Sequence, residues 1–157
     1  MILMKTTYFS ISALTLIFIF CVVILSGCSS IRPPKGVKAQ YYTIETTGYC
    51  DCGKCCGWNR NWFFQPVYSY GPNKGKRKVV GLTASGTKAR RGTLAADTSI
   101  FPFGTVMEIP GFGYGIVEDR GGAIKGHKVD IFFPRHKEAI NWGRQTLKVK
   151  VWKKKKK

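Results

Sequence analysis

Short stretches of alternating polar and apolar residues dominate the chain beyond its first forty positions. Residues 42–49 and 145–152 alternate in this way and are rich in β-branched or aromatic side chains, which is typical of half-buried strands. Four more short strands are predicted between turns rich in glycine or proline, at residues 93–97, 104–110, 114–119 and 128–133. Residues 135–142 form the one good helix candidate, with Gly143 as its stop. This pattern predicts a mainly β fold, and a closed barrel is the natural way for so many short strands to avoid open edges.

The beginning of the chain has the pattern of an export signal. Lys5 precedes an apolar run over residues 8–25, and the run ends in Leu25-Ser26-Gly27-Cys28. This ending looks like a lipobox, in which Cys28 is lipidated on its sulfur and becomes the first mature residue. An uncleaved spanning helix is the alternative, since the run approaches the roughly 20 apolar residues that cross a bilayer. Ser29 after the cysteine resembles an outer-membrane sorting context, facing the periplasm, if the source is a two-membrane bacterium.

These features divide the chain into four predicted segments. Residues 1–27 are the lipoprotein signal peptide and residues 28–40 a short tether. Residues 41–152 form one domain, interrupted by a segment rich in cysteine and aromatic residues at 50–78, which we call the insertion. Residues 153–157 are a poly-Lys tail.

The charge of the chain is strongly positive. It holds 26 Lys and Arg against 8 Asp and Glu, a formal net charge of +18. Such an excess attracts polyanions over long distances. Because the export signal removes nucleic acid as a partner, the expected polyanions are lipid head groups, wall polymers and the peptide carboxylates of peptidoglycan.

Four cysteines lie close together at the start of the insertion, and they allow several kinds of chemistry. In an oxidising compartment, Cys50, Cys52, Cys55 and Cys56 are expected to form two disulfides of unknown pairing. The alternatives are a metal site built from the same four thiolates and a set of free redox thiols. A metal site here requires the seven-residue segment to fold back sharply. The two histidines, His127 and His136, are expected at the surface without a function.

Two aspartates in the predicted strands are candidates for acid–base chemistry. Asp119 precedes a glycine-containing turn that returns the chain toward Asp130, so that pairing of their strands brings the two carboxylates close together. Close carboxylates, and burial of Asp130 between apolar neighbours, keep one carboxyl group protonated near neutral pH. A protonated carboxyl is the general acid that cleavage of a glycosidic bond requires. Residue pattern alone also allows turn and capping aspartates.

Several motifs resemble the 3D domain, a family named for three aspartates. They are Leu94-Ala-Ala-Asp97, Glu118-Asp-Arg-Gly-Gly-Ala-Ile-Lys-Gly126 and Val129-Asp-Ile-Phe-Phe133, and the resemblance covers roughly residues 45–152. The family implies a six-stranded double-psi β-barrel similar to the catalytic domain of the MltA-type membrane-bound lytic transglycosylases. It therefore implies action on peptidoglycan glycan strands without a cofactor.

The resemblance also implies roles for individual residues. Asp130 matches the general acid of the family, and Asp119 matches the aspartate that orients it. Asp97 matches the third aspartate, which either takes part in catalysis or only accepts structural hydrogen bonds. Lys125, in the turn, is expected to bind an anionic substrate group or to be an exposed lysine. Tyr49 matches the opening strand and is expected to contact substrate.

The insertion has no counterpart in the MltA-type enzymes, and the chain has no room for their second domain. The aromatic residues of the insertion, above all Trp58 and Trp62, are expected to stack on sugars and form a second wall of the groove. Alternatively, they are expected to pack against one another as a small core.

Three functions follow as hypotheses: a lytic transglycosylase, a peptidoglycan-binding module that does not cut, and a metal or redox protein built on the cysteines.

Overall fold

A computed structural model describes residues 31–153. The predicted signal peptide, the lipidation of Cys28 and residues 154–157 of the tail lie outside the described residues. Within residues 31–153, no helix is long and apolar enough to span a bilayer.

Eight strands and two short helices make up the described chain. The strands are β1 Gln40–Tyr49, β2 Trp58–Arg60, β3 Pro66–Tyr68, β4 Thr93–Ala96, β5 Val106–Ile109, β6 Gly113–Asp119, β7 Lys128–Phe132 and β8 Gln145–Trp152. The helices are α1 Gly53–Cys56 and α2 His136–Trp142.

Six strands close into a barrel in the order β1-β7-β4-β6-β5-β8, with β8 returning to β1. The pairs β1–β7 and β4–β6 are parallel, and the other pairs are antiparallel. The prediction of a mainly β fold with a closed six-stranded barrel is therefore confirmed. Strand β8 has the predicted bounds, and the other barrel strands differ from the predicted ones by a few residues at their ends.

The barrel interior is filled by apolar side chains from its strands and one loop. The largest of them are fully buried and include Ile44, Leu94, Phe101, Met107 and Ile131. Burial of each such side chain contributes about 1.5–3 kcal/mol to folding. The alternation seen in the sequence places these residues inside because successive side chains of a strand point to opposite faces.

Helix α2 packs directly on the backbone of β1. A Cβ atom at Gly48 would lie 2.7 Å from the carbonyl oxygen of Ala139, a separation that carbon and oxygen do not tolerate. Glycine at position 48 therefore permits a contact that brings the first residue of α2, His136, toward the end of β1.

The insertion contains regular structure that the sequence did not predict. Strands β2 and β3 pair as a two-stranded antiparallel sheet, although the prolines and glycines of this segment are typical of irregular structure. Pro66 is tolerated because it is the first residue of β3, in a sheet of only two strands. The side chain of Asn61 holds the connecting loop by accepting hydrogen bonds from the backbone N–H groups of Phe63 and Gln65, each at 3.0 Å.

Candidate active site

Asp119 and Asp130 lie on either side of one alanine. Strand β4 runs between β6 and β7, and Ala95 is in register with Asp119 on one side and with Asp130 on the other. The strands that carry the two aspartates are therefore not neighbours, contrary to the pairing on which the sequence argument depended. The small side chain of Ala95 leaves the space between the two carboxylates open, and all three residues line one cavity.

Asp130 is a half-buried acid between apolar residues of β7. Its neighbours Val129 and Ile131 are buried, and its Oδ1 accepts a hydrogen bond of 2.9 Å from the hydroxyl of Thr47. Burial raises the pKa of Asp130, and the negative charge of Asp119 adds to the rise, while the bond from Thr47 opposes it. The protonated form of Asp130 therefore persists to a higher pH than that of an exposed aspartate.

Asp119 ends β6 and is held by three donors. Its Oδ1 accepts backbone N–H groups of Ala84 and Arg120, each at 2.9 Å, and its Oδ2 accepts the hydroxyl of Tyr49 at 3.2 Å. Burial and the charge of Asp119 raise the pKa of the Tyr49 phenol, so the hydroxyl remains a donor. The three bonds fix the position of the carboxylate beside Asp130.

The cavity of about 570 Å³ around these groups has two walls. One is the loop that follows β6, which includes Gly121, Gly122 and Ile124. The other is the insertion, through Asp51, Cys55, Cys56, Tyr70 and Lys78. A second wall therefore exists within this chain, and the aromatic residue that lines it is Tyr70.

Asp97 lies apart from this pair. It lines a neighbouring, smaller cavity with Lys125, and it accepts the backbone N–H of Gly126 at 3.0 Å and both donors of Ser99 at 2.6 and 3.1 Å. These hydrogen bonds lower the pKa of Asp97 to about 2, and the bond from the Ser99 hydroxyl contributes most. This geometry is that of a structural acceptor that ties the end of β4 to the loop before β7.

The two tryptophans predicted to contact sugar do not line the cavity of Asp119 and Asp130. Trp58 is half-buried, and its indole N–H donates to the carbonyl of Asp51 at 2.8 Å. Trp62 is 89% exposed in the loop between β2 and β3, beside the exposed Phe63 and Phe64. The loop aromatics therefore do not form the small core that was the alternative expectation.

The structure corrects the predicted disulfides. Cys50, Cys52, Cys55 and Cys56 are free thiols. The sulfurs of Cys50 and Cys55 are 3.7 Å apart, whereas a disulfide requires about 2.05 Å. Three of the thiols instead meet His136, a residue to which the sequence assigned no function. The fourth, Cys56, turns away and donates to the carbonyl of Cys50 at 3.1 Å.

Comparison with known proteins places a family match on most of the barrel. The segment 92–153 matches the family model of the 3D domain. YabE of Bacillus subtilis, described as a cell wall shaping protein, is 39% identical over 75 residues, which cover 45% of this chain and 18% of the relative. YocH of the same organism, described as a cell wall-binding protein, is 38% identical over 77 residues, which cover 46% of this chain and 27% of the relative.

Among solved structures, the chain is similar to MltA of Escherichia coli. The structure with bound chitohexaose has 26% identity and a TM-score of 0.40, with 47% of this chain and 28% of the other covered. A second MltA structure has 28% identity and a TM-score of 0.40, with 59% and 30% covered. The match to the family model confirms the resemblance to the 3D domain over residues 92–153, which hold five of the six barrel strands.

Proposed function

We propose that this protein acts on peptidoglycan in the cell envelope as a lytic transglycosylase, with Asp130 as its general acid and base. The observation that carries the proposal is the placement of Asp130, half-buried, in one cavity with Asp119 and with only Ala95 between them. A single acid with a raised pKa beside a fixed carboxylate suits a reaction in which one group first gives and then takes a proton.

In the first step, Asp130 donates its proton to the oxygen that links N-acetylmuramic acid to N-acetylglucosamine, and the bond from that oxygen to the muramoyl C1 breaks. The C6 hydroxyl of the same muramoyl residue then attacks C1. Asp130, now ionised, accepts the proton that this hydroxyl loses, and a 1,6-anhydro ring closes. No water is consumed, and Asp130 ends in its starting protonation state.

Asp119 supports this cycle without a proton transfer of its own. Its three hydrogen bonds keep it in place, and its negative charge favours the positive charge that develops on the sugar as the bond breaks. Tyr49, whose hydroxyl donates to Asp119, also lines the cavity and can contact the substrate there.

The similarity to cell wall proteins supports the substrate class. The chain spans less than a third of the length of the two curated relatives, so their whole activities do not transfer directly. The net charge of +18 favours a polyanionic wall as the partner.

Release of anhydro-muropeptides from purified sacculi tests the proposal. We expect product from the wild-type chain and a loss of at least about a hundredfold for Asp130→Asn, since general acid–base catalysis contributes about 10²–10⁴ in rate. Glu108→Gln is the matched control, because Glu108 lies on β5 away from the cavity and its substitution also turns a carboxylate into an amide. Product release by Asp130→Asn at the wild-type rate would remove Asp130 from the mechanism.

A peptidoglycan-binding module that does not cut is the second candidate. The cell wall-binding description of YocH and the basic charge of this chain favour it. Binding of wild-type protein to sacculi with no anhydro product at any pH would select this function over the enzyme.

We further propose that a lipid on Cys28 anchors the protein to a membrane, the outer one in a two-membrane bacterium. The lipobox of residues 25–28 supports this placement. Detergent phase partitioning of the expressed chain tests it, with Cys28→Ser expected to move the protein from the detergent phase to the aqueous phase. An unchanged distribution would contradict lipid attachment at Cys28.

A further inference from the structure

Three thiols and one imidazole converge where the insertion joins the barrel. Cys50 follows the last residue of β1, Cys52 and Cys55 belong to the turn that forms α1, and His136 begins α2. The ligand atoms of these four residues all lie within 4.8 Å of one another. Cys50 is 1% exposed and the other three are partly buried.

The distances within this group match the edges of a tetrahedron around a metal ion. The Nδ1 atom of His136 is 3.5 Å from each of the three sulfurs, and the sulfurs of Cys50 and Cys55 are 3.7 Å apart. Tetrahedral zinc with Zn–S bonds of about 2.3 Å and Zn–N bonds of about 2.0–2.1 Å separates two sulfurs by ~3.8 Å and a sulfur from nitrogen by ~3.5 Å.

Hydrogen bonding alone does not explain this arrangement. A ring nitrogen has either one proton to donate or one lone pair to accept, so Nδ1 cannot bond well to three sulfurs at once. The equal distances from Nδ1 to the sulfurs of Cys50, Cys52 and Cys55 are instead those of ligands facing a common centre.

We infer that Cys50, Cys52, Cys55 and His136 bind one zinc ion in a structural site. Three thiolates and one imidazole are a recognised ligand set for zinc, and all four tetrahedral positions come from the protein. On binding, the three thiols release their protons to solvent, and the neutral imidazole coordinates through Nδ1. Because no coordination position stays open for water, the ion holds structure and does not activate a nucleophile.

The site joins three parts of the molecule, and two of them, the end of β1 and the insertion, line the cavity. It connects the end of β1, which carries Tyr49, to the turn that carries Cys55 and Cys56 of the insertion wall, and it connects both to α2. The zinc ion therefore fastens the insertion wall to the barrel.

Cys56 provides a matched control within the same segment. Its sulfur donates to the carbonyl of Cys50 and lines the cavity instead of meeting His136. His127 is the control for His136, because its imidazole ring packs against Tyr42 and Phe101 and not against the cysteines.

Metal analysis of the full-length chain, purified under reducing conditions in detergent, tests the inference. We expect about one zinc ion per chain, a severalfold loss of zinc in Cys52→Ser and His136→Asn, and wild-type zinc in Cys56→Ser and His127→Asn. Cobalt added to the zinc-free protein should give the visible absorption of tetrahedral Co²⁺ with thiolate-to-metal charge transfer, and Cys52→Ser should lose the charge-transfer intensity.

A second measurement on the wild-type chain covers variants that fail to fold. Alkylation of the native protein should leave Cys50, Cys52 and Cys55 protected until a chelator is added, as read by mass spectrometry of the peptide that contains them. A peptide already lighter by two or four hydrogens means disulfides and overturns the site. Wild-type protein that is purified without zinc, or with iron in its place, would also overturn the site. So would a loss of zinc in Cys56→Ser equal to the loss in Cys52→Ser.

Discussion

Thr47 donates its hydroxyl hydrogen to Oδ1 of Asp130 at 2.9 Å, across the parallel pair of β1 and β7. This bond favours the ionised carboxylate, whereas burial of Asp130 favours the protonated acid, and burial dominates. The balance between these two effects sets the pH range in which Asp130 can donate a proton.

Thr47→Val should raise the pKa of Asp130 further, because valine has nearly the shape of threonine but cannot donate a hydrogen bond. Loss of the bond should cost about 1 kcal/mol of stability or less. Carbon NMR titration of the Asp130 carboxyl measures the pKa, and the alkaline limb of transglycosylase activity should move to higher pH with it. Thr47→Ser keeps the hydroxyl, so it should leave the pKa of Asp130 and the alkaline limb of activity close to those of the wild type. A lower pKa of Asp130 in Thr47→Val would contradict the role of the bond.

Asp97→Asn should lower the melting temperature at pH 7. Ionised Asp97 is stabilised in the folded state, where its pKa is about 2 against an ordinary value of 3.8. Its contribution is therefore complete above pH 4 and is lost as the pH falls through about 2. The difference between wild type and Asp97→Asn, followed by thermal unfolding, should shrink over this range and vanish below it.

Asp130→Asn is the control of opposite sign. Because the folded pKa of Asp130 is raised, its ionisation destabilises the folded state as the pH rises above the ordinary aspartate range. Asp130→Asn should therefore melt at a higher temperature than wild type at pH 7, with the gain lost at low pH. Equal and parallel effects of the two substitutions would contradict the different environments of these aspartates.

Ala95→Leu should block the site while the barrel persists. The side chain of Ala95 lines the cavity between Asp119 and Asp130, so the added carbons occupy the space that the proposed mechanism assigns to the sugar. We expect product release from sacculi to fall by at least about tenfold, which corresponds to about 1.4 kcal/mol. A circular dichroism spectrum like that of the wild type shows that the fold is kept; undiminished activity would mean that substrate does not enter between the two carboxylates.

Trp62→Ala should weaken binding to sacculi without changing stability. Trp62 is 89% exposed and has almost no packing to lose, whereas an aromatic ring of this kind stacks well on sugars. Sedimentation with sacculi measures binding, with an expected loss of about 1 kcal/mol or fivefold. Tyr41→Ala is the control, because Tyr41 is also an exposed aromatic but lies on β1, outside the insertion. Equal effects of the two substitutions would contradict a specific role for Trp62.

Local patterns in the sequence were enough to predict the six barrel strands but not the neighbours of each strand. The alternation of residues 145–152 gave the bounds of β8, because one face of that strand is buried and the other is solvated. The placement of β4 between β6 and β7 depends on pairings between distant segments, which the alternation within a strand does not encode. The two aspartates were therefore predicted to meet for the wrong reason.

The same limit explains why His136 was missed. It lies 81 residues after Cys55, in a helix that predicted only packing, and its contact with the cysteines depends on how closely α2 approaches Gly48. The spacing of the four cysteines indicated thiol chemistry, but it could not show that Cys56 faces the cavity while a histidine takes its place. Only the tertiary fold separates these two arrangements.

The insertion is one continuous stretch of chain, and no residue of it pairs with a barrel strand. A change in its length or sequence can therefore widen, narrow or recharge one side of the cavity while all six barrel strands keep their partners. Under the proposed function, the width of glycan that the cavity admits is in this way set independently of the scaffold that holds the aspartates, so the same barrel can evolve toward differently cross-linked walls.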